Sequence, residues 1–241
     1  MKFNTIINTL KNTKKPLLAL LADPDKLNLQ LIKEAKKNNV FCILVGGSKL
    51  IKNNFNETVV KIKSVTTLPV LIFPGDEFQI SAKADGILFL SLISGNNADY
   101  LIGKQAKAAL KIKQANINTI PTAYVLINGG NISTTQKVTN TKPLVHKSEI
   151  INRIAAAELL GFKLIYLEAG SGAKNHLNKN LITSVKKTIN LPLIVGGGIT
   201  NISKLKKVIN SNPNLIVIGN VFEKKPQLLN QFGLYFRPVK S

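Results

Sequence analysis

Tryptophan is absent from this chain, and cysteine occurs once, as Cys42 inside an apolar run. A lone cysteine excludes an internal disulfide and suits a reducing compartment, so the sequence is expected to be cytoplasmic. Two histidines, His146 and His176, and that one thiol are too few for a structural zinc site. No uninterrupted apolar stretch reaches the eighteen or so residues a membrane span needs. The opening MKFNTIINTLKNTKK has neither a long apolar h-region nor a small-residue cleavage site, which argues against secretion. Acids are scarce as well, 12 Asp+Glu against 33 Lys+Arg, for a formal charge of +21. Such an excess raises the question of nucleic acid. The lysines, however, run along the whole chain, Lys33, Lys36, Lys61, Lys63, Lys111, Lys113, Lys186, Lys187, Lys206 and Lys207 among them, mostly on helix-like segments. No basic cluster is interleaved with aromatics, so no nucleic acid is expected, while an anionic substrate or an acidic membrane surface would still feel the field.

What is present is a repeat of short apolar runs separated by amphipathic segments. Eight runs stand out: Leu17–Ala22, Val40–Val45, Pro69–Phe73, Gly86–Leu92, Thr119–Ile127, Lys163–Glu168, Leu191–Val195 and Leu215–Ile218. They are apolar on both faces, as parallel strands covered on both sides must be. Helices are expected over Leu27–Asn39, over Ser148–Leu160 with Gly161 as its stop, and over Asn201–Asn210 with an Asn-x-Ser start. With 241 residues and no composition shift, the alternation predicts one domain over 1–241, an α/β (β/α)8 TIM-type barrel. A doubly wound open sheet is the competing architecture; the strand count favours the barrel. One unit is irregular: only eleven residues, PGDEFQISAKA, separate Phe73 from Asp85. That is short for a helical crossover, so the third helix of the outer ring is expected to be replaced by an extended connection.

In barrels of this type the chemistry sits at the C-terminal ends of the strands. Asp23, Asp25, Asp76, Glu77 and Glu168 all fall at or just past such an end, although each residue type also serves as a helix N-cap or first-turn acid. The last three strands end in glycine-rich turns: GSGA (Gly170–Ala173), GGGI (Gly196–Ile199) and GN (Gly219–Asn220). Three such turns side by side let backbone N–H groups approach an anion, with a helix N-terminus near Asn201 adding to them, and predict a phosphate cup with Glu168 beside it. Across the barrel, ADPDK and GGSK place Asp23 and the Ser48 hydroxyl where, with phosphate oxygens, they would form an oxygen-only site suited to magnesium (Mg2+). A Pro-Asp turn and a Ser N-cap are the plain alternatives. Tyr100 is a candidate wall of an apolar groove, or ordinary helix packing.

With these turns in place, the sequence resembles the geranylgeranylglyceryl phosphate synthase family, which includes the bacterial heptaprenylglyceryl phosphate synthases. The resemblance runs through ADPDK, LVGGS, the series FPG, QIS, KAD and ILFLSLISG, then NADYLIG, YLEAGSGA, VGGGI and IGN, nearly the whole chain. It implies a barrel lacking the third helix, and a magnesium-dependent prenyltransferase. Such an enzyme joins a long-chain prenyl diphosphate to the free hydroxyl of sn-glycerol 1-phosphate and releases diphosphate. Asp23 and Ser48 match the metal positions. Tyr166, Leu167, Glu168, Ala169, Gly170, Ser171, Gly172, Gly197, Gly198, Gly219 and Asn220 match the glycerol-phosphate positions, with Glu168 as the expected catalytic base. The resemblance further implies a homo-oligomer, a dimer or higher, and peripheral membrane contact through the prenyl substrate or product. Two departures stand out: Leu21 where some members carry a lysine, and Asp76 and Glu77 where small polar residues are expected, which would add negative charge at the mouth. Another phosphate-binding barrel enzyme, or a basic nucleic-acid-binding protein, are the rival readings.

Overall fold

The computed structural model describes residues 3–47 and 54–238. Eight strands, β1 (Leu17–Ala22), β2 (Val40–Val45), β3 (Val70–Ile72), β4 (Gly86–Leu92), β5 (Thr119–Leu126), β6 (Leu164–Glu168), β7 (Leu193–Gly196) and β8 (Leu215–Ile218), close into one barrel. Each pairs in parallel with its sequence neighbours, and β8 returns to β1. The expected strands are all present, four of them with unchanged bounds.

Alternation along each strand sorts the side chains into two layers. Leu17 and Ala19 of β1 and Tyr166 of β6 fill the barrel interior, while Leu18, Leu20 and Leu167 face the helices. Between β1 and β2 the register slips, with Leu18 opposite Val40 and Ala19 opposite Cys42. The slip at Phe41 leaves both Phe41 and Cys42 in the interior layer. Burial pushes the Cys42 thiol up to about 12, so it packs as a small hydrophobe.

The first helix, α1 (Phe3–Asn12), was not anticipated. Its Ile6 and Leu10 are buried with the barrel interior, and Asn214 Nδ2 donates 2.8 Å to Leu10 O. A Cβ on Gly86, the first residue of β4, would stand 2.6 Å from the Phe3 ring. The helix therefore covers the N-terminal mouth of the barrel, leaving the C-terminal mouth open for a site.

Helices α2 (Leu29–Ala35) and α3 (Phe55–Val65) follow β1 and β2, and α4 (Lys104–Gln114) follows β4. The chain between β3 and β4 contains no helix, as its length predicts. The β5–α6 connection carries an unexpected short helix, α5 (Thr134–Thr139), before α6 (Lys147–Leu159). Then come α7 (Lys179–Thr188), α8 (Ile202–Ile209), α9 (Asn220–Lys224) and α10 (Leu228–Gly233). The segment expected as one helix over Leu27–Asn39 is α2 flanked by 3-10 turns. Asparagine does much of the capping: Asn28, Asn54, Asn178 and Asn201 accept N–H groups at helix starts. Asn39 and Asn140 take left-handed positions after helices, where Asn is better tolerated than most residues.

Candidate active site

A cavity of roughly 790 Å3 opens at the C-terminal ends of the strands. Its floor is aromatic. Phe73, Tyr124 and Tyr166 pack with ring centroids 5.2 to 5.9 Å apart. Tyr166 and Glu168 are both inward residues of β6, one strand period apart, so the carboxyl stands above the Tyr166 ring on the cavity side.

Glu168 is 7% exposed. Burial raises its carboxyl to about 7, against the opposing pull of the Gly170 N–H, which donates 2.8 Å to Oε1, and of the nearby Tyr166 hydroxyl. A Cβ on Gly196 would lie 2.5 Å from Glu168 Oε2 and 2.6 Å from Tyr166 Oη, so glycine is required there for both groups to sit side by side. The Tyr166 hydroxyl is buried and has no hydrogen-bond partner within bonding geometry. A buried hydroxyl without such a partner, next to a buried carboxyl, is a costly arrangement unless a polar ligand completes it.

The glycine turns of β6, β7 and β8 meet beside this pair. Gly170, Gly172, Gly197 and Gly198 have φ of +105°, +72°, +84° and +71°. Ser171, Gly172, Gly197, Gly198, Gly219 and Asn220 line the cavity, and Asn220 Nδ2 donates 3.0 Å to Ser171 Oγ, tying the β6 and β8 turns together. Leu167 and Ala169 face the helix layer instead, and with Gly170 they contribute backbone position rather than cavity surface. Gly198 has a second role: a Cβ there would stand 2.2 Å from Asn175 O. A larger residue would therefore disturb the fold before it met a ligand.

On the opposite wall, Asp23 Oδ1 accepts from Asp25 N at 3.0 Å, capping the turn that follows β1, and Oδ2 lies 3.6 Å from Lys26 Nζ. Gly47 is adjacent, where a Cβ would be 3.3 Å from Asp23 Oδ1; Ser48 lies outside the described residues. Asp76 adds a carboxylate at the mouth, whereas the charge of Glu77 is offset by Lys104. Asp76 Oδ1 accepts from Phe78 N and Gln79 N at 2.8 and 3.2 Å, and Glu77 pairs with Lys104. That hydrogen bond with Lys104 holds the Glu77 carboxyl below its ordinary range.

Sequence reasoning missed the larger part of the cavity. Outward residues Ile87 and Phe89 of β4, Ile80 of the β3–β4 connection, and Ala108 and Ile112 of α4 line an apolar arm. It occupies the space a helix after β3 would have filled. Tyr100 belongs to its wall: its hydroxyl donates 3.0 Å to Val138 O, bridging the π turn Asp99–Gly103 to α5. The missing helix was the available signal, since a short crossover leaves outward strand residues uncovered.

The family model described as the PcrB family matches residues 10–233. The chain belongs to the PcrB family. Among its relatives is a geranylgeranylglyceryl phosphate synthase of Zunongwangia profunda, 46% identical over 91% of this chain and 96% of that protein. One of Methanosphaera stadtmanae is 39% identical over 92% of each. The crystal structure of (S)-3-O-geranylgeranylglyceryl phosphate synthase from Thermoplasma acidophilum, in complex with substrate sn-glycerol-1-phosphate, superposes with a TM-score of 0.90. It is 30% identical and covers 99% of this chain and 100% of its own. This PcrB-family chain thus shares a whole fold, not a fragment, with these proteins.

Proposed function

We propose that this chain is a prenyltransferase that joins a long-chain prenyl diphosphate to the free terminal hydroxyl of sn-glycerol 1-phosphate, forming an ether and releasing diphosphate. The observation that carries this reading is the pairing of two unlike compartments in one cavity. A glycine-turn cup stands beside the orphaned Tyr166 hydroxyl and Glu168, and an apolar arm runs out between β4 and α4. A sugar-phosphate isomerase would have use for the first and none for the second. The relatives bearing the synthase name span nearly the whole chain, which supports the same reading.

The glycerol phosphate is held with its phosphate at the backbone of Gly197, Gly198 and Gly219 and its hydroxyls toward Tyr166 and Glu168. The prenyl tail lies in the apolar arm, which excludes water from the reacting carbon and so protects an allylic cation from hydrolysis. The bond from the first prenyl carbon to diphosphate breaks, and the diphosphate keeps the electron pair. The glycerol hydroxyl oxygen bonds to that carbon, and its proton passes to the Glu168 carboxylate, whose raised affinity for protons suits the task.

The cavity's charge bears on the metal. Asp23, Asp25, Asp76, Glu77, Glu168 and Glu223 line it, six of the chain's twelve carboxylates, against Lys26, Lys104, Lys224 and Lys225. Lys26 and Lys104 pair with Glu223 and Glu77, so each pair offsets itself, and carboxylates still outnumber lysines in the lining as a whole. Two anionic substrates entering such a lining require a further cation. No group of three or more His, Cys, Asp or Glu among the described residues forms a metal cage. The donor set fits magnesium, which keeps waters and substrate oxygens around one or two carboxylates, with Asp23 as the protein's contribution. When bound, it would neutralise charge building on the leaving diphosphate.

The test is mass spectrometry of products formed from sn-glycerol 1-phosphate and prenyl diphosphates of increasing length, with and without a chelator. A prenylglyceryl phosphate that disappears on chelation and returns with magnesium is expected. No ether product from any chain length would refute the reading.

A further inference from the structure

Helix α4 has two faces, and only the inner one is used by the site. Ala108 and Ile112 line the apolar arm, while the outer face carries Lys107, Leu110, Lys111 and Lys113. The helix contains no acidic residue, and of its four lysines Lys104 forms an ion pair, with Glu77. Leu110 is 70% exposed, and Phe78 and Ile102 beside the helix are 69% and 64% exposed. Lys111 Nζ stands 5.6 Å from the Phe78 ring centroid, which joins the β3–β4 connection and α4 into one surface. Phe78 follows Glu77, and Lys111 precedes Ile112, both residues of the cavity lining, so this surface forms the outer rim of the apolar arm.

We propose that this rim, Phe78, Ile102 and Leu110 ringed by Lys107, Lys111 and Lys113, is a docking surface for an anionic lipid bilayer, from which the long prenyl substrate enters the arm. The inference rests on the prenyl reading above and adds where the substrate comes from. Exposed apolar side chains on a lysine-rich helix face match the interfacial mode of membrane contact, in which they reach the acyl boundary while the ammonium groups meet anionic headgroups. Each lysine at such a surface strengthens binding about fivefold, so three contribute about a hundredfold together. A second copy of this chain fits the surface poorly. A two-fold contact would set its lysines against their own images, and Glu77, the carboxylate that faces Lys107, is already held by Lys104. A tail too apolar to cross water freely also needs a route from lipid to groove, and this rim is continuous with the groove.

The full chain is sedimented with vesicles of phosphatidylcholine alone and of phosphatidylcholine mixed with phosphatidylglycerol, without substrate. Binding only to the anionic vesicles is expected. The triple variant K107Q/K111Q/K113Q should weaken it at least tenfold, and Phe78→Ser with Leu110→Ser should do likewise. K179Q/K187Q/K207Q removes the same charge from α7 and α8 on other exposed positions and should bind like the parent. All these sites are exposed, and unchanged melting temperatures confirm folding. Equal losses from both lysine triples would mean that net charge alone drives binding, and would overturn the proposal. So would absence of binding by the parent chain, or a Leu110→Ser variant that lowers the molecular mass in light scattering, which would make the rim a subunit interface. Turnover of a short, water-soluble prenyl diphosphate should be unaffected by the α4 variants. Since vesicle binding is read without substrate, failed turnover counts against the enzyme reading and failed binding against the docking surface.

Discussion

A carboxyl buried against aromatic rings is costly to keep charged, and Glu168 is retained in that position at the end of β6. Its folded value of about 7, against an ordinary 4.5, means that the folded state holds a proton which the unfolded chain releases between those values. Stability from this group is therefore fully present below about pH 4.5 and is lost as pH rises through 7, by at most about 3 kcal/mol. Glu168→Gln removes the ionisation while keeping the shape. The variant should melt higher than the parent at pH 8 and nearly level with it at pH 5, as calorimetry across that range would show. Its turnover at saturating substrate should fall by about 10² to 10⁴, the range for a lost general base. In the parent, kcat/KM should decline on the acid side with a midpoint near 7, as protonation removes the acceptor. A turnover within about threefold of the parent would leave Glu168 as a clamp on the glycerol hydroxyls, and weaker glycerol phosphate binding would then accompany it.

At the level of elements, the strands were legible because each is a short apolar run covered on both faces, and β1, β2, β6, β7 and β8 have glycine or acid at or just past the C-terminal end. Their inward and outward residues follow from alternation alone, which is why Tyr166 and Glu168 share the cavity and Leu167 does not. The cup was legible because three turns carry glycine at equivalent strand ends. The apolar arm was not, because it is made by a helix that is missing, and its walls are ordinary apolar residues, most of them on β4 and α4. Nor was the pairing of Glu77, which depends on Lys104, 27 residues further along the chain. Helix α1 was overlooked because FNTIINTLKN buries only Ile6 and Leu10, an i, i+4 pair too sparse to distinguish from a polar leader. That pair nevertheless closes one end of the barrel. Leu10→Ala should cost about 2–5 kcal/mol, the usual loss for a large-to-small core change, with KM for both substrates unchanged because the site lies at the other end. Denaturant titration paired with steady-state kinetics tests it. A KM shift would mean that the two ends of the barrel are mechanically coupled.

The whole molecule sets two charge patterns against each other. Its net charge of +21 is spread over helix faces, while half its carboxylates are gathered into one cavity. Anionic substrates thus approach an attractive surface and enter a lining in which carboxylates outnumber lysines. The two patterns act over different distances. Outer lysines pull across solvent, where screening sets in beyond about 10 Å at 0.1 M salt, whereas the cavity carboxylates act at contact and are screened far less. With magnesium held saturating, raising monovalent salt should therefore lower kcat/KM for sn-glycerol 1-phosphate severalfold while leaving kcat nearly constant, because only the encounter is weakened. If the carboxylate lining governed entry instead, added salt would relieve only part of the repulsion and kcat/KM would rise slightly. The sign of that slope, measured with a short soluble prenyl diphosphate so that no membrane takes part, decides which pattern the substrate meets first.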